Sequence, residues 1–372
     1  MKNKSDEQVI LFSAVNLVEG GPLSILTDCV NAFTVNYLFH YKLVLLVHDK
    51  QIFSYLLNIP AIKVFEYRYP KKSWILRLWF EYVHSWFISK KIKPVLWFSL
   101  HDVTPNVVTK RKVVYCHNPA PFYNVSLHEV WMEKSLLFFH FFYSVIYGIN
   151  IRKNKYVIVQ QQWLRDEFIK RYKINNVMVA YPNIDKPPAK QTLSFENNVF
   201  RFFYPALPRV FKNFEVVLEA ALLLAKRYDT FEIIFTFEGT ENRYARQLFE
   251  KYSHISQVKF IGLQSREKIW ALYECSSCIV FSSKMETWGL PIIEAKFYNK
   301  PVLVADCQYA HETVGDYDKA RFFNVEDPVT LSNLMHQAIN GVLSFERHSC
   351  IKPRRPFVQT WAELFHLILL SE

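Results

Sequence analysis

Two glutamates separated by seven residues, Glu286 and Glu294, form the strongest chemical signal in this sequence. The apolar run Ile279-Val280-Phe281 followed by Ser282-Ser283 predicts a strand that ends in a loop. Glu286 falls in that loop. Gly289 and Pro291 then predict the start of a helix, with Glu294 in its first turns. The spacing brings a loop carboxylate, a helix N-terminus and a second carboxylate to one place. Backbone N–H groups at a helix start can hold a phosphate. A carboxylate only accepts hydrogen bonds, so it can take both hydroxyls of a sugar diol. The preference of helix starts for acidic residues accounts for Glu294 but not for Glu286.

Other segments carry compatible chemistry. Arg209 and Lys212 follow the predicted strand Phe200–Tyr204 and precede a helix, an arrangement suited to a diphosphate: arginine supplies a planar fork and lysine a point charge. Fixed cations there would stabilise the negative charge that grows on a departing diphosphate. Glu19-Gly20-Gly21-Pro22 follows the first predicted strand, where two glycines permit close backbone approach to a ligand. His117 closes the strand Val113–Cys116, and Pro119 turns the chain away. His101-Asp102 closes the preceding strand and reads equally as a cleft-lining pair or a loop brace. Asp316-Tyr317-Asp318 has the spacing of a metal motif but stands in a late loop without further acids, so no metal is expected. Cys275 and Cys278 form a lone pair without a second, and read as free core thiols.

The stretch Glu286–Glu294 with Gly289-Leu290-Pro291 inside it and Ala295 after it resembles the E-x7-E hallmark of retaining family-4 glycosyltransferases. The order of elements from Val258 to Asp306 is similar as well. That resemblance implies the GT-B fold, an α/β pair of Rossmann-like doubly wound domains facing across a cleft. It implies that Glu294 binds the ribose of a nucleotide and Glu286 the transferred sugar, with Thr287, Gly289 and Leu290 contacting the donor beside them. Lys212 and Arg209 would hold the diphosphate, although the family spaces its arginine and lysine five or six residues apart and here the gap is three. Gly20 and Gly21 would touch the same diphosphate, and His117 the donor sugar. The implied reaction moves a sugar from a nucleotide-diphosphate sugar to a saccharide or lipid-linked saccharide with its anomeric configuration kept, as in bacterial surface-polysaccharide synthesis. No cofactor is implied beyond that donor. An isomerase on the same fold, a nucleotide-sugar 2-epimerase, and a non-catalytic subunit that recruits a partner to the membrane are the alternatives.

The elements needed to position these residues are legible. Strand-like and helix-like segments alternate throughout the 372 residues, which predicts parallel sheets covered on both faces. A polar, Pro-rich stretch from Tyr181 to Pro188, continuing to Asn198, predicts a linker. The expected domains are residues 1–190, which face the acceptor and the membrane, and residues 199–350, which bind the nucleotide sugar. A terminal helix over 354–372 is expected to pack back on the first domain. No G-x-G-x-x-G occurs, and glycine is scarce at 8 residues.

Charge separates the halves. Residues 1–190 hold 25 Lys and Arg against 13 Asp and Glu, whereas residues 191–372 hold 20 against 21. The first half therefore suits an acidic partner: nucleic acid, anionic lipid or a pyrophosphate-linked acceptor. Its cations lie among bulky aromatics, which favours an anionic membrane surface over nucleic acid. No secretory leader is recognised at the start of the sequence, so a cytoplasmic, peripheral location on the inner face of the membrane is expected. The charge-free stretch Ser135–Ile151 is short of the roughly 20 residues needed to span a bilayer, and reads as a buried helix. The helix predicted over Trp74–Lys91 has a broad aromatic face, a narrow polar face of Arg77, Glu81, His84 and Ser85, and basic ends. It suits either a membrane interface or a core.

Overall fold

The computed structural model describes residues 8–18, 20–183, 199–346 and 350–370. Glu19 and the linker predicted around Tyr181–Asn198, from residue 184 onward, lie outside the described residues. The chain divides into two compact units, one of residues 1–121, 141–184 and 353–372, the other of residues 122–140 and 185–352.

The first unit holds β1 (Val9–Ala14), β2 (Lys42–Val47), β3 (Ile62–Glu66), β4 (Leu96–Ser99), β5 (Arg111–Tyr115), β6 (Tyr156–Val159) and β7 (Val177–Ala180). The second holds β8 (Phe200–Tyr204), β9 (Phe231–Phe235), β10 (Val258–Phe260), β11 (Cys278–Phe281), β12 (Val302–Ala305) and β13 (Ala320–Phe323). A short β14 (Phe357–Val358) returns to the first unit and pairs with β7. All these pairings are parallel. Parallel strands buried on both faces read as continuous apolar runs rather than alternating ones. Leu43, Leu45 and Leu46 of β2 and the whole of β11 show this, for each is fully buried.

The strand order is the physically important result. In the second unit it runs β10-β9-β8-β11-β12-β13, and in the first β3-β2-β1-β4-β5-β6-β7-β14. Both orders reverse direction beside their first strand, between β8 and β11 and between β1 and β4. Ligands of such sheets bind beyond the carboxyl ends of the strands at this switch point. The loops singled out by chemistry in the sequence leave those four strands, with His117 one strand further along, after β5.

Aromatic packing fixes the switch points from behind. Tyr204 of β8 lies tilted against Phe214 at 4.6 Å and meets Phe281 of β11 edge-on at 5.7 Å. In the first unit Phe12, Phe33 and Phe98 meet Phe365 of the terminal helix Trp361–Leu370. That helix is shorter than the one predicted from residue 354, because residues 357–358 join the sheet instead.

Three further features differ from the sequence expectation. Residues 122–140 belong to the second unit rather than the first. Glu133 accepts from the Arg209 guanidinium and, at 3.4 Å, from the Val210 N–H. Trp131 lies 4.3 Å beneath the Arg243 guanidinium, and Lys284 pairs with Glu129 at 3.9 Å. Polar and cation–π contacts between residues this distant in sequence leave no periodic signal.

The helix expected over Trp74–Lys91 runs as Trp74–Trp79, a π turn Phe80–His84 and Ser85–Ile92. Its polar stripe faces inward: Arg77, Glu81, Ser85 and Ser89 are buried, while Ile75 is 80%, Trp79 47%, Val83 42% and Phe87 58% exposed. Twelve residues of uninterrupted α-helix would carry Phe87 about 120° around the axis from Ile75. A π turn inserts one extra residue into the helix and reduces that drift to about 20°. The stripe is thereby kept straight.

Helix Lys134–Gly148, expected to be buried, is so on one side only. Leu136, Tyr143, Ile146 and Tyr147 are buried, whereas Phe141 and Val145 face outward. No helix among the described residues is long and apolar enough to cross a membrane.

Candidate functional site

The second unit builds its site from the loops after β8 and β11. After β8 the chain makes a single 3-10 turn, Val210–Lys212, and Asn213 then takes a left-handed conformation with φ of 54°. Asparagine tolerates that region better than most residues. Asn213 also donates from its amide to the Val325 carbonyl at 2.8 Å. The Lys212 carbonyl accepts from the Tyr204 hydroxyl at 2.6 Å and from the Ser282 hydroxyl at 3.0 Å. The backbone that carries Lys212 is thus tied to both strands at the switch point. Its ammonium donates to Glu286 Oε1, with both side chains mostly buried.

The loop after β11 is fixed with similar thoroughness. Tyr309 donates to the Ser283 carbonyl at 2.7 Å, and Lys284 N–H to the Phe211 carbonyl at 2.8 Å. Gly289 turns the chain into helix Leu290–Phe297 with φ of 84°. A Cβ there would lie 3.2 Å from the Tyr309 ring and 3.3 Å from Ile292 Cδ1, so both conformation and space require glycine. Thr313 donates to the Trp288 carbonyl, which holds the centre of the loop. Thr287 and Leu290 flank this turn. Glu294, one turn into the helix, is 6% exposed and accepts from Arg266, which is 50% exposed.

Sequence reasoning brought Lys212 and Glu286 to the same region, and the structure places them in direct contact. It did not foresee Arg266 on Glu294 or Glu133 on Arg209. Arg266 opens helix Arg266–Cys275 directly after its Ser265 cap, a position with no distinguishing motif. Arg209 is not poised beside Lys212 as a free fork, since Glu133 already holds its guanidinium. A diphosphate would have to draw Arg209 away from that carboxylate.

The first unit presents its own residues at the carboxyl ends of β1, β4 and β5. Gly20 starts helix Gly20–Tyr37 with φ of 67°, and nothing lies within 4 Å of where its Cβ would be; Gly21 follows it in the first turn. Beyond β4, Asp102 adopts a φ of 76°. Its Oδ1 accepts from the His117 N–H at 2.5 Å, the Asn118 N–H at 3.1 Å and the Tyr147 hydroxyl at 2.8 Å. Asp102 is therefore the brace of the His117 loop. His117 Nε2 lies 2.8 Å from the Leu100 carbonyl. A carbonyl only accepts, so Nε2 carries the proton and Nδ1 of the neutral ring keeps a lone pair. Burial pushes the His117 pKa down, opposed by Asp102 and the Leu100 contact, which favours the neutral ring.

His101 is fully buried behind this loop, 3.2 Å from Glu81 and 3.3 Å from the Ser13 hydroxyl. Arg77 pairs with Glu81 at 2.9 Å and donates to the His101 carbonyl at 3.2 Å. Despite burial, which alone would raise it, the Glu81 pKa is lowered by His101 and Arg77. Among the described residues no three His, Cys, Asp or Glu side chains gather as a metal site, and Asp316 and Asp318 are exposed. Cys275 and Cys278 are free thiols, the latter raised to about 12 by burial.

Residues 186–352 match the family of glycosyl transferases group 1. Over 154 residues it is 24% identical to EpsD of Bacillus subtilis, named as a glycosyltransferase; the match takes in 41% of this chain and 40% of that protein. Over 243 residues it is 22% identical to the O-antigen chain mannosyltransferase RfbU of Salmonella typhimurium, covering 63% of this chain and 64% of RfbU. The matches thus span less than two thirds of either relative. Among solved structures, Anabaena HepE in complex with UDP-glucose superposes with a TM-score of 0.63 at 17% identity, over 90% of each chain. That likeness extends to both units, and the chain has the GT-B fold.

Proposed function

We propose that this glycosyltransferase moves a sugar from a nucleoside diphosphate sugar to a saccharide or lipid-linked saccharide acceptor, with retention at the anomeric carbon, in surface-polysaccharide synthesis. The observation that carries the reading is the Lys212–Glu286 contact at the β8/β11 switch point, with Glu294 in the helix that follows. In this assignment Glu294 takes the ribose diol of the donor. Backbone groups of Thr287, Gly289 and Leu290 meet the diphosphate, Lys212 neutralises the charge that develops as the sugar leaves, and Arg209 joins it on release from Glu133. Glu286 accepts from hydroxyls of the transferred sugar while it positions Lys212. His117 offers Nδ1 to a sugar hydroxyl, and the Gly20-Gly21 backbone gives a ligand close approach. Support comes from RfbU, whose name places it in O-antigen chains, and from HepE, whose complex holds UDP-glucose.

The same reading places the enzyme on the cytoplasmic face of an anionic membrane. It rests on the exposed stripe Ile75, Trp79, Val83 and Phe87, with Lys71, Lys72, Lys90, Lys91 and Lys93 at its two ends. Phe141 and Val145 expose further apolar surface on a helix whose Phe142 and Tyr143 pack against Trp74. Apolar side chains bracketed by cations suit the boundary between acyl chains and anionic headgroups.

The deciding experiment is calorimetric titration of the purified chain with UDP, GDP, CDP and ADP, alongside Glu294→Ala. Binding of one nucleotide that the variant loses supports the donor site and names the donor class. Absence of binding to every nucleotide by a folded protein sinks the enzyme and leaves a membrane-recruiting subunit.

A further inference from the structure

The first unit contains a pocket of about 250 Å³ that the donor chemistry does not use, walled by Asn16, Lys71, Lys72, Ser73, Trp74 and Arg77 among others. It lies at the ligand-binding edge of the sheet. Asn16 stands two residues beyond the end of β1, and residues 71–77 follow β3. Sites for whole small molecules occupy roughly 300–1,000 Å³, so a pocket of this size holds a compact group rather than an entire substrate.

Its charge is unbalanced. Lys71 and Lys72 are exposed, and among the described residues neither has an acidic partner. Burial is the main cause that lowers the pKa of nearby His48; Lys71 and Arg68 lower it further, and Asp49 and Glu66 oppose them. Arg77 contributes a guanidinium that is 4% exposed, held by Glu81 through Nε and by the His101 carbonyl through Nη2. Its Nη1 has no hydrogen-bond partner among the described residues. A buried donor left unsatisfied is costly, and a fixed guanidinium is suited to an oxyanion. Glu81 stands one turn after Arg77 on the same buried face, and His101 completes the cluster. Beside the cations, Trp74 is held edge-on by Phe142 at 4.3 Å and supplies a rigid apolar wall.

We propose that this pocket binds the phosphate or diphosphate group of the acceptor, with Lys71 and Lys72 as its charged rim and Arg77 as its buried anchor. Assignment of the anion to an acceptor rests on the transferase reading; binding of the anion does not. A diphosphate-linked lipid satisfies both the pocket and the adjoining apolar stripe, because its anionic group would lie at the headgroup level. Inorganic pyrophosphate carries the same chemistry without the lipid.

The test is titration of the full chain with inorganic pyrophosphate at low salt, comparing wild type with Lys71→Ala/Lys72→Ala and with Lys212→Ala. Wild type should show two binding events, of which the double lysine variant weakens one at least about tenfold and Lys212→Ala weakens the other. Arg77→Lys tests the anchor while keeping charge beside Glu81, and should weaken the same event as the double lysine variant. The double variant should bind nucleotide as wild type does. Undiminished pyrophosphate binding by it overturns the proposal. Loss of nucleotide binding in wild type with both pyrophosphate events intact supports the pocket while sinking the transferase reading. In a second arm, neutral phosphatidylcholine vesicles are doped either with a polyprenyl diphosphate or with phosphatidylglycerol. A loss confined to the diphosphate lipid supports the assignment, and an equal loss on both overturns it in favour of general headgroup contact.

Discussion

Replacing Glu294 by alanine separates a ligand-binding carboxylate from one that merely braces a helix. A charge-assisted hydrogen bond is worth about 1.5–3 kcal/mol, so two bonds to a ribose diol amount to about 3–6 kcal/mol. Part of this is offset, because Arg266 occupies the carboxylate in the free protein and must be displaced. An ion pair with one half-exposed partner is worth only about 0–1 kcal/mol. Water also replaces some of the lost contact. The net loss in nucleotide affinity should be about 2–4 kcal/mol, or roughly 30- to 1,000-fold. Folding stability should change much less. Arg266 returns to water, and Glu294→Gln preserves the side-chain volume, so its melting temperature should fall by no more than about 2–4 °C. Arg266→Ala provides the control: if Glu294 serves the ligand, removing its competitor leaves nucleotide affinity unchanged or slightly improved. Calorimetry gives the affinities and thermal unfolding the stabilities. The reasoning is refuted if Glu294→Ala binds the nucleotide within about threefold of wild type. It is equally refuted if Arg266→Ala loses affinity as Glu294→Ala does.

Three further outcomes are expected. Trp79→Ser/Phe87→Ser should weaken sedimentation with anionic vesicles by at least about tenfold, since each side chain withdraws roughly 1.5–3 kcal/mol of apolar burial, and should leave nucleotide binding intact; unchanged sedimentation removes the membrane role of the stripe. Asp102→Ala strips an acceptor from the His117 N–H, the Asn118 N–H and the Tyr147 hydroxyl together, which should cost about 3 kcal/mol in chemical denaturation, and a loss below about 1 kcal/mol would show that Asp102 does not brace the loop. Burial lowers the pKa of both His117 and His101 in the folded state; unfolding therefore takes up protons, and stability present above the ordinary histidine pKa of about 6.5 should decline as pH falls below it. A denaturation midpoint that stays flat or rises between pH 7 and 5 contradicts that sign.

The parts of this protein that were legible in the sequence are those set by neighbouring residues. Alternation of apolar runs with helical periods marked twelve of the strands. Two escaped. Ala320–Phe323 contains Arg321 and is only partly apolar, and Phe357–Val358 is too short to give a period. The turn from β11 into helix Leu290–Phe297 was also local, because glycine supplies the positive φ and proline the helix start within three residues. That turn is local, whereas contacts from Tyr309, Thr313 and Phe211 hold the loop in which Glu286 stands.

Partnership was decided elsewhere. Lys212 meets Glu286 because β8 and β11 lie side by side at the point where strand order reverses, and no local preference encodes that order. Arg266 reaches Glu294 and Glu133 reaches Arg209 through contacts just as distant in sequence. The helix from Trp74 shows the division most plainly. Its sequence displays an aromatic face and a polar face, and periodicity gives both with equal clarity. Which one points inward depends on what waits there. His101, held at the end of β4, gives Glu81 a buried partner beside Arg77, so the polar stripe turns in and the aromatic stripe is left outside. A sequence specifies the faces of a helix, whereas only the assembled sheet supplies the groups that make one of them the interior.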